Sequence, residues 1–480
     1  MTAIVDRAWW GGRVHVIYTI VVFVILASLD NAAIAIIPSM VPQLRETFEV
    51  STTAIGVLTG AQILVTAVTA VVWGYLADSR DRKKLLMWGT IIWSIAVALS
   101  GVTTSYWVLF GLQVIAGVGL GSIASVGFSV ISDFVSPKRR GLAMSFWGLS
   151  QGIGALIGSL LASQAGAHNH SIPFFILAGA GFVFSLLFLT TFDAPRGYKE
   201  PELQELYAGG GTYDHEIDID QLNGLRQVKT NKWLVLQGLT AQVAYGSLVW
   251  VPLLYQEKVI AEGYSQATGQ QVGGLFAAMF TIGALFSILF GHIGDRWQRR
   301  NLSGRAYVSA TGIVGAIPFF LIFFWIPLRG LEVTDGASTG TFIPEVLRAI
   351  ITNPWVGAAF LTALIALALT SADSPNWFAL ISDVNLPEHR GTVFGVGNFV
   401  NGLGRAVGTG LTTVTADVIK RTLPPPFNLA LGLSLFQVFF LPTGWCYWMA
   451  SKTCPADIES VRATLQKRAH TSNRQRTADD

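Results

Sequence analysis

Ile131-Ser132-Asp133-Phe134-Val135-Ser136-Pro137-Lys138-Arg139-Arg140-Gly141 recurs as Ile381-Ser382-Asp383-Val384-Asn385-Leu386-Pro387-Glu388-His389-Arg390-Gly391, at an offset of 250 with six of eleven positions identical. The same offset lays Gln151-Gly152-Ile153-Gly154-Ala155-Leu156-Ile157-Gly158 over Asn401-Gly402-Leu403-Gly404-Arg405-Ala406-Val407-Gly408, and the glycines keep step. A second repeat pairs Gly74-Tyr75-Leu76-Ala77-Asp78-Ser79-Arg80-Asp81-Arg82-Lys83 with Gly291-His292-Ile293-Gly294-Asp295-Arg296-Trp297-Gln298-Arg299-Arg300 at an offset of 217. The difference between offsets means that the second half holds extra residues, which fall in the segment Arg329 to Pro354. The chain is therefore two related halves, separated by the polar stretch Asp193 to Lys232 with its Gly209-Gly210-Gly211 run.

What surrounds these repeats is apolar. Of 480 residues, 51% are hydrophobic and 13% charged, against about 25% charged in a soluble domain; the mean hydropathy is +0.51. Crossing ~30 Å of hydrocarbon takes roughly 20 apolar residues in a helix. Such runs lie at 15–40, 53–77, 85–104, 106–134, 141–166, 172–193, 233–257, 269–294, 305–328, 355–384, 391–419 and 427–450. The predicted fold is an all-α membrane protein of twelve transmembrane helices in two pseudo-symmetric six-helix bundles. Residues 1–193 form the first bundle, 194–232 a cytoplasmic linker, 233–450 the second bundle and 451–480 a cytoplasmic tail. No small-residue cleavage site follows the first run, so it is expected to stay on the chain.

With both termini inside, about 25 of the 32 basic residues fall in cytoplasmic loops and tails. Arg80, Arg82, Lys83 and Lys84, Lys138 to Arg140, and Arg296, Arg299 and Arg300 are the dense clusters. Short loops beside spans account for them without nucleic acid. Cys446 and Cys454 suggest neither a disulfide nor a zinc site, and His168 and His170 lack a partner ligand, so no metal is expected. The acidic run Asp214 to Asp220 lacks the glycine turn and distal glutamate of a calcium loop. No Walker loop or nucleophile elbow is present, which argues against an ATP-driven pump or an enzyme, and no cofactor is expected.

Gly74, Leu76, Ala77, Asp78, Arg82 and Lys83 resemble motif A of the major facilitator superfamily, Gly-x-Leu-Ala-Asp-x-x-Gly-Arg-Lys, with Asp81 where the family has glycine. Asp295 and Arg299 occupy the corresponding places in the second half. The resemblance implies a secondary transporter in which Asp78 caps the start of span eleven and holds the cytoplasmic side closed; a carboxylate at a helix N-terminus meets unpaired N–H groups and the positive dipole end. Gly154 to Ser159 resemble an antiporter motif without its proline, and Gly117-Val118-Gly119-Leu120-Gly121 reads as a packing surface inside a helix. Gln113 stands near the place where most members carry an arginine. Leu29-Asp30-Asn31, Trp93-Ser94 and Val118-Gly119 are similar to the Spinster branch, which moves lysolipids and sphingoid lipids, although Asn31 and Leu120-Gly121 stand where that branch has arginine and glutamate.

Ionisable residues deep in the bilayer cost about 2.5–3.5 kcal/mol each on insertion scales and are functional candidates by default. Asp30 in span one, Asp373 in span ten and Arg405 in span eleven are the three. A carboxylate that alternately meets and leaves an arginine loads and releases a proton, so Asp30 is the first candidate for proton coupling, Asp373 the second, and Arg405 the counter-charge. Asn31, Asn376 and Gln113 are candidate polar contacts to substrate; Tyr245, Trp250 and Trp377 are candidate apolar walls. The expected partners are a lipid-like or other small-molecule substrate, protons and the lipid bilayer around a monomer in a bacterial inner membrane. A uniporter or symporter of a sugar or organic acid, a drug exporter, and a non-transporting receptor are the alternatives.

Overall fold

The computed structural model describes residues 13–127, 140–166, 169–191, 228–337 and 339–479. The linker glycines, the acidic run, the basic cluster Lys138 to Arg140 and the side chain of Asp78 lie outside the described residues or side chains. Backbone groups in hydrocarbon have no water to bond, so a chain of this composition must close its hydrogen bonds within helices. In the first half these are α1 (Arg13–Ser39), α2 (Val41–Phe48), α3 (Thr52–Ser79), α4 (Arg82–Ser100), α5 (Tyr106–Ser122), α6 (Arg140–Gln164) and α7 (Ser171–Phe188). The second half has α8 (Lys229–Ser247), α9 (Val251–Ala261), α10 (Gln266–Ala284), α11 (Phe286–Gln298), α12 (Gly304–Trp325) and α13 (Thr339–Thr352). It is completed by α14 (Pro354–Thr370), α15 (Asp373–Val384), α16 (Pro387–Ile419), α17 (Phe427–Gln437) and α18 (Phe440–Asp479).

Among the described residues, eight helical stretches are long and apolar enough to cross a membrane. The α5, α6 and α16 helices and the α10–α11 pair occupy the other expected spans. Besides the proline-free break at Leu285 between α10 and α11, three second-half spans are broken, at Leu248–Trp250, at Ser371 and at Val438. Each of these three begins four residues before a proline: Pro252, Pro375 and Pro442. Proline supplies no N–H and its ring collides with the carbonyl at that spacing, so the ladder opens there. Helix α18 runs past residue 450 into the stretch expected as the cytoplasmic tail. Its continuation is tied down: Ile458 is buried, and Asp457 accepts from Thr230 N at 2.9 Å and Thr230 Oγ1 at 2.6 Å.

The repeated glycines explain how each half closes. A Cβ on Gly154 would come 2.1 Å from the Ser28 carbonyl, and one on Gly158 2.4 Å from that of Ala32, so α6 presses its backbone on α1. At the repeat positions, Gly404 and Gly408 would collide with the Leu239 and Val243 carbonyls at 2.3 and 2.0 Å, and α16 presses on α8 in the same way. Between the halves, α3 packs along α16 and α6 along α10. The outward faces stay apolar, with Val72 and Leu361 more than half exposed, as a lipid-facing surface requires. The extra segment of the second half is a loop followed by α13, both at the far end, opposite the end where α1 begins.

Candidate functional site

Asp30 lies midway along α1 and is 5% exposed. The indole of Trp93 on α4 lies beside it as a weak donor, short of full hydrogen-bond geometry, and Oδ1 of Asp30 has no partner. Thr90 Oγ1 and Ser94 Oγ, on the same helix, are also buried without a partner. Asn31 turns away and donates to the Ala27 carbonyl at 2.9 Å. An ionised carboxylate here has neither a cation nor a full set of donors to replace its hydration, whereas a protonated one carries no net charge to desolvate. This arrangement suits a group that changes its charge.

Asp373 has a different setting. It opens α15, just after the break at Ser371, and is 7% exposed. Gln237 Nε2 donates to its Oδ1 at 2.9 Å, and the Tyr447 hydroxyl donates to the same oxygen. Tyr245 stands against the group and donates to the Thr370 carbonyl at 3.2 Å. Gln237 and Tyr447 were not candidates on sequence. Gln237 is a polar residue in an apolar span, which is a signal; Tyr447 is one of 11 tyrosines with nothing to set it apart.

Arg405 lies on α16, the helix held between α3 and α8. Among the described residues no carboxylate pairs with it, so the structure brings neither Asp30 nor Asp373 to the arginine. Asn398, Asn401 and Arg405 share one face at helical spacing, and Asn401 Oδ1 is buried without a partner. The remaining candidates serve packing. Gln113 accepts from Gln62 at 3.0 Å and donates to Ser100 Oγ at 2.9 Å. Asn376 donates to the Ala372 carbonyl at 2.8 Å. The indoles of Trp250 and Trp377 donate to the Thr409 and Leu234 carbonyls at 2.7 and 3.1 Å. Both tryptophans are buried, so they are anchors between helices instead of open walls.

The repeated loops differ in what holds them. In the first, Asp81 accepts from the backbone N–H groups of Lys83 and Lys84 at 3.0 and 3.3 Å and caps α4. Its φ is −64°, so the turn does not need the family's glycine. Gly74 is in ordinary contact with Ser125, Arg82 is buried, and Lys83 Nζ donates to the Leu189 carbonyl at 3.4 Å. In the second loop, Asp295 pairs with Arg305 at 2.6 Å, and Arg305 also pairs with Asp383 of the other repeat; Arg299 is exposed. Neither Arg305 nor the Asp383 pairing was singled out on sequence, because both residues sit among basic and acidic loop residues.

At the far end the halves are joined. Thr53 of α3 donates to Asp417 of α16 through its N–H at 3.2 Å and through its hydroxyl. Gln270 of α10 donates to the Ala162 carbonyl of α6 at 3.1 Å. Glu257 of α9 faces Arg45 of α2 and Lys420, which follows α16.

A family model described as Major Facilitator Superfamily matches residues 20–409. The chain is 25% identical to human protein spinster homolog 1 over 447 residues, covering 87% of this chain and 75% of the relative. It is 23% identical over 322 residues to the zebrafish (Danio rerio) sphingosine-1-phosphate transporter SPNS2, covering 63% of this chain and 61% of the relative. Among solved structures, it matches a bacterial homologue of the human lysosomal transporter Spinster, in an inward-facing and unoccupied conformation, with a TM-score of 0.70 at 18% identity. That match covers 93% of this chain and 99% of the other.

Proposed function

The chain belongs to the major facilitator superfamily, and from that premise we propose that it is a proton-coupled secondary transporter of an amphiphilic, lipid-like small molecule, working by alternating access. The observation that carries this reading is Asp30, a carboxylate buried on α1 with Oδ1 unpartnered. A buried acid with no cation and too few donors gains from taking a proton and loses it when donors or a cation approach. Arg405 is the counter-charge for that second state, reached when α1 and α16 shift relative to one another. The likeness to a human spinster homolog and to a sphingosine-1-phosphate transporter supports the amphiphile class.

The distribution of basic residues supports cytoplasmic termini, so the joined far end faces outward in a cell membrane. The test is uptake into proteoliposomes under an imposed pH gradient, comparing lysolipids and sphingoid bases with sugars, organic acids and drugs. Accumulation of an amphiphile that follows the gradient is expected. Transport that ignores the gradient overturns proton coupling, and preference for a sugar or organic acid overturns the substrate class.

A further inference from the structure

Helix α13 is apolar on two opposite faces. Phe342, Val346 and Ala349, 0–4% exposed, pack on the second half. Pro344, Leu347 and Ile351 lie on the other side, within about 60° of one another at 100° per residue, and all three are exposed. Ile351 is 87% exposed, the highest value among the large apolar side chains of the described residues. Arg348 flanks this outer face, and Arg329 is exposed in the loop before the helix.

The helix is held in one pose. Asp335, in the loop before it, accepts from Ser265 N at 3.2 Å and from the Ser265 and Thr268 hydroxyls at 2.6 Å. Glu345 on the helix accepts from Thr334 N and Oγ1 at 2.7 and 2.8 Å. Asn353, just after it, donates to the Arg329 and Gly330 carbonyls at 3.0 and 2.6 Å. The outer face is thus presented by a braced helix.

Its surroundings identify what covers it. Trp325 ends α12, Trp355 opens α14 and Phe427 opens α17, each 43–47% exposed, and Trp325 and Phe427 stack with centroids 6.2 Å apart. Partly exposed aromatic rings at one level of a bundle mark the headgroup region of a bilayer. Ile351 stands four residues before Trp355, across the turn at Asn353, which sets the outer face of α13 beside this aromatic level. We propose that α13 is an interfacial helix: Leu347 and Ile351 enter the headgroup–acyl boundary of the far leaflet, and Arg348 and Arg329 meet lipid phosphates. Because Asp335 ties the segment to the start of α10, which packs on α6 of the other half, the contact anchors one of the helices that must separate when the far end opens.

The test places an environment-sensitive nitrobenzoxadiazole probe on the full-length protein at Leu347→Cys or Ile351→Cys, with exposed Glu332→Cys in the same loop region as control, in phosphatidylcholine vesicles. Cys446 and Cys454 are buried and stay in place, with the unsubstituted protein checked for absence of labelling. Emission at 347 and 351 is expected to shift to the blue and to fall about twofold or more with lipids carrying a nitroxide near the glycerol backbone, while 332 is unaffected. Equal, water-like emission at all three sites overturns the proposal. Blue-shifted emission that nitroxide lipids do not quench, together with disulfide crosslinking between copies of the Ile351→Cys variant, overturns it in favour of a second copy of the chain.

Discussion

The two halves repeat one another in sequence but differ in how each meets its buried membrane carboxylate. On the first-half side, Asp30 Oδ1 has no partner, and Thr90 Oγ1 and Ser94 Oγ on the helix that faces it have none either. On the second-half side, Asp373 is met by Gln237 and Tyr447. A carboxylate held by two donors is fixed in one geometry, whereas one left short of partners is free to be stabilised differently in a second state. A change of protonation is therefore expected at Asp30, with Asp373 as the fixed reference.

The largest effect that tests this contrast is loss of coupling. Asp30→Asn should abolish pH-driven accumulation and keep downhill exchange, since an amide cannot cycle a proton; uphill uptake and counterflow in the same proteoliposomes separate the two. Asp373→Asn should retain gradient-driven uptake. If the outcomes are exchanged, so that Asp373→Asn loses uphill transport and Asp30→Asn keeps it, the assignment of the mobile charge to the first half is wrong. Arg405→Ala should shift the pH at which coupling is half-maximal upward, because Asp30 loses the cation that favours its charged form.

Next in size is stability. Tyr447→Phe removes one donor from a buried carboxylate and should cost about 1–3 kcal/mol, read as a lower unfolding midpoint in detergent, with coupling intact. Thr90→Val, which keeps the side-chain shape and removes a buried hydroxyl that closes no hydrogen bond, should cost less. Equal destabilisation by the two would erase the difference between the two carboxylate sites.

Much of this contrast was out of reach of the sequence. Duplication, helix content and the glycine register followed from the 250-residue offset, because backbone contact at Gly154 and Gly404 permits no side chain at either place. The proline-linked breaks were equally legible in principle, though the apolar runs concealed them. The partners of Asp373 were not, since Gln237 and Tyr447 meet it from 136 and 74 residues away and no local pattern records that distance. The same limit applies to Arg305, whose two carboxylates come from different repeats. Arg405 was legible as a buried cation, but its lack of a carboxylate partner in this conformation was not.

A smaller difference is expected at the paired loops. Asp78→Asn should reduce transport while insertion into the membrane is unchanged, and Asp295→Asn should be milder, because Arg305 retains Asp383. Asp295 is half exposed and Arg305 15% exposed, so solvent screening keeps the lost pairing to about 1 kcal/mol or less. Initial transport rates of the two variants, normalised to surface expression, decide the order; greater sensitivity of Asp295 would place the controlling loop in the second half.

The smallest effect concerns pH outside the membrane. The hydroxyls of Ser265 and Thr268, with smaller help from backbone N–H groups, hold the Asp335 carboxyl below its ordinary range, and the N–H and hydroxyl of Thr334 do the same for Glu345. A carboxylate whose folded value is depressed stabilises the fold at pH above its unfolded value, and the contribution is lost as pH falls through the folded value. Between about pH 5 and 8 both groups therefore stay ionised and the bracing of α13 is constant. Amide exchange across residues 334–352, corrected for its intrinsic pH dependence, should be flat over that interval and rise only in stronger acid. Asp335→Asn should raise exchange modestly at neutral pH, because an amide oxygen is a weaker acceptor than a carboxylate. If α13 instead loosens across the same pH interval in which coupling changes, groups of the second half titrate there as well, and the assignment of the responsive charge to Asp30 alone fails.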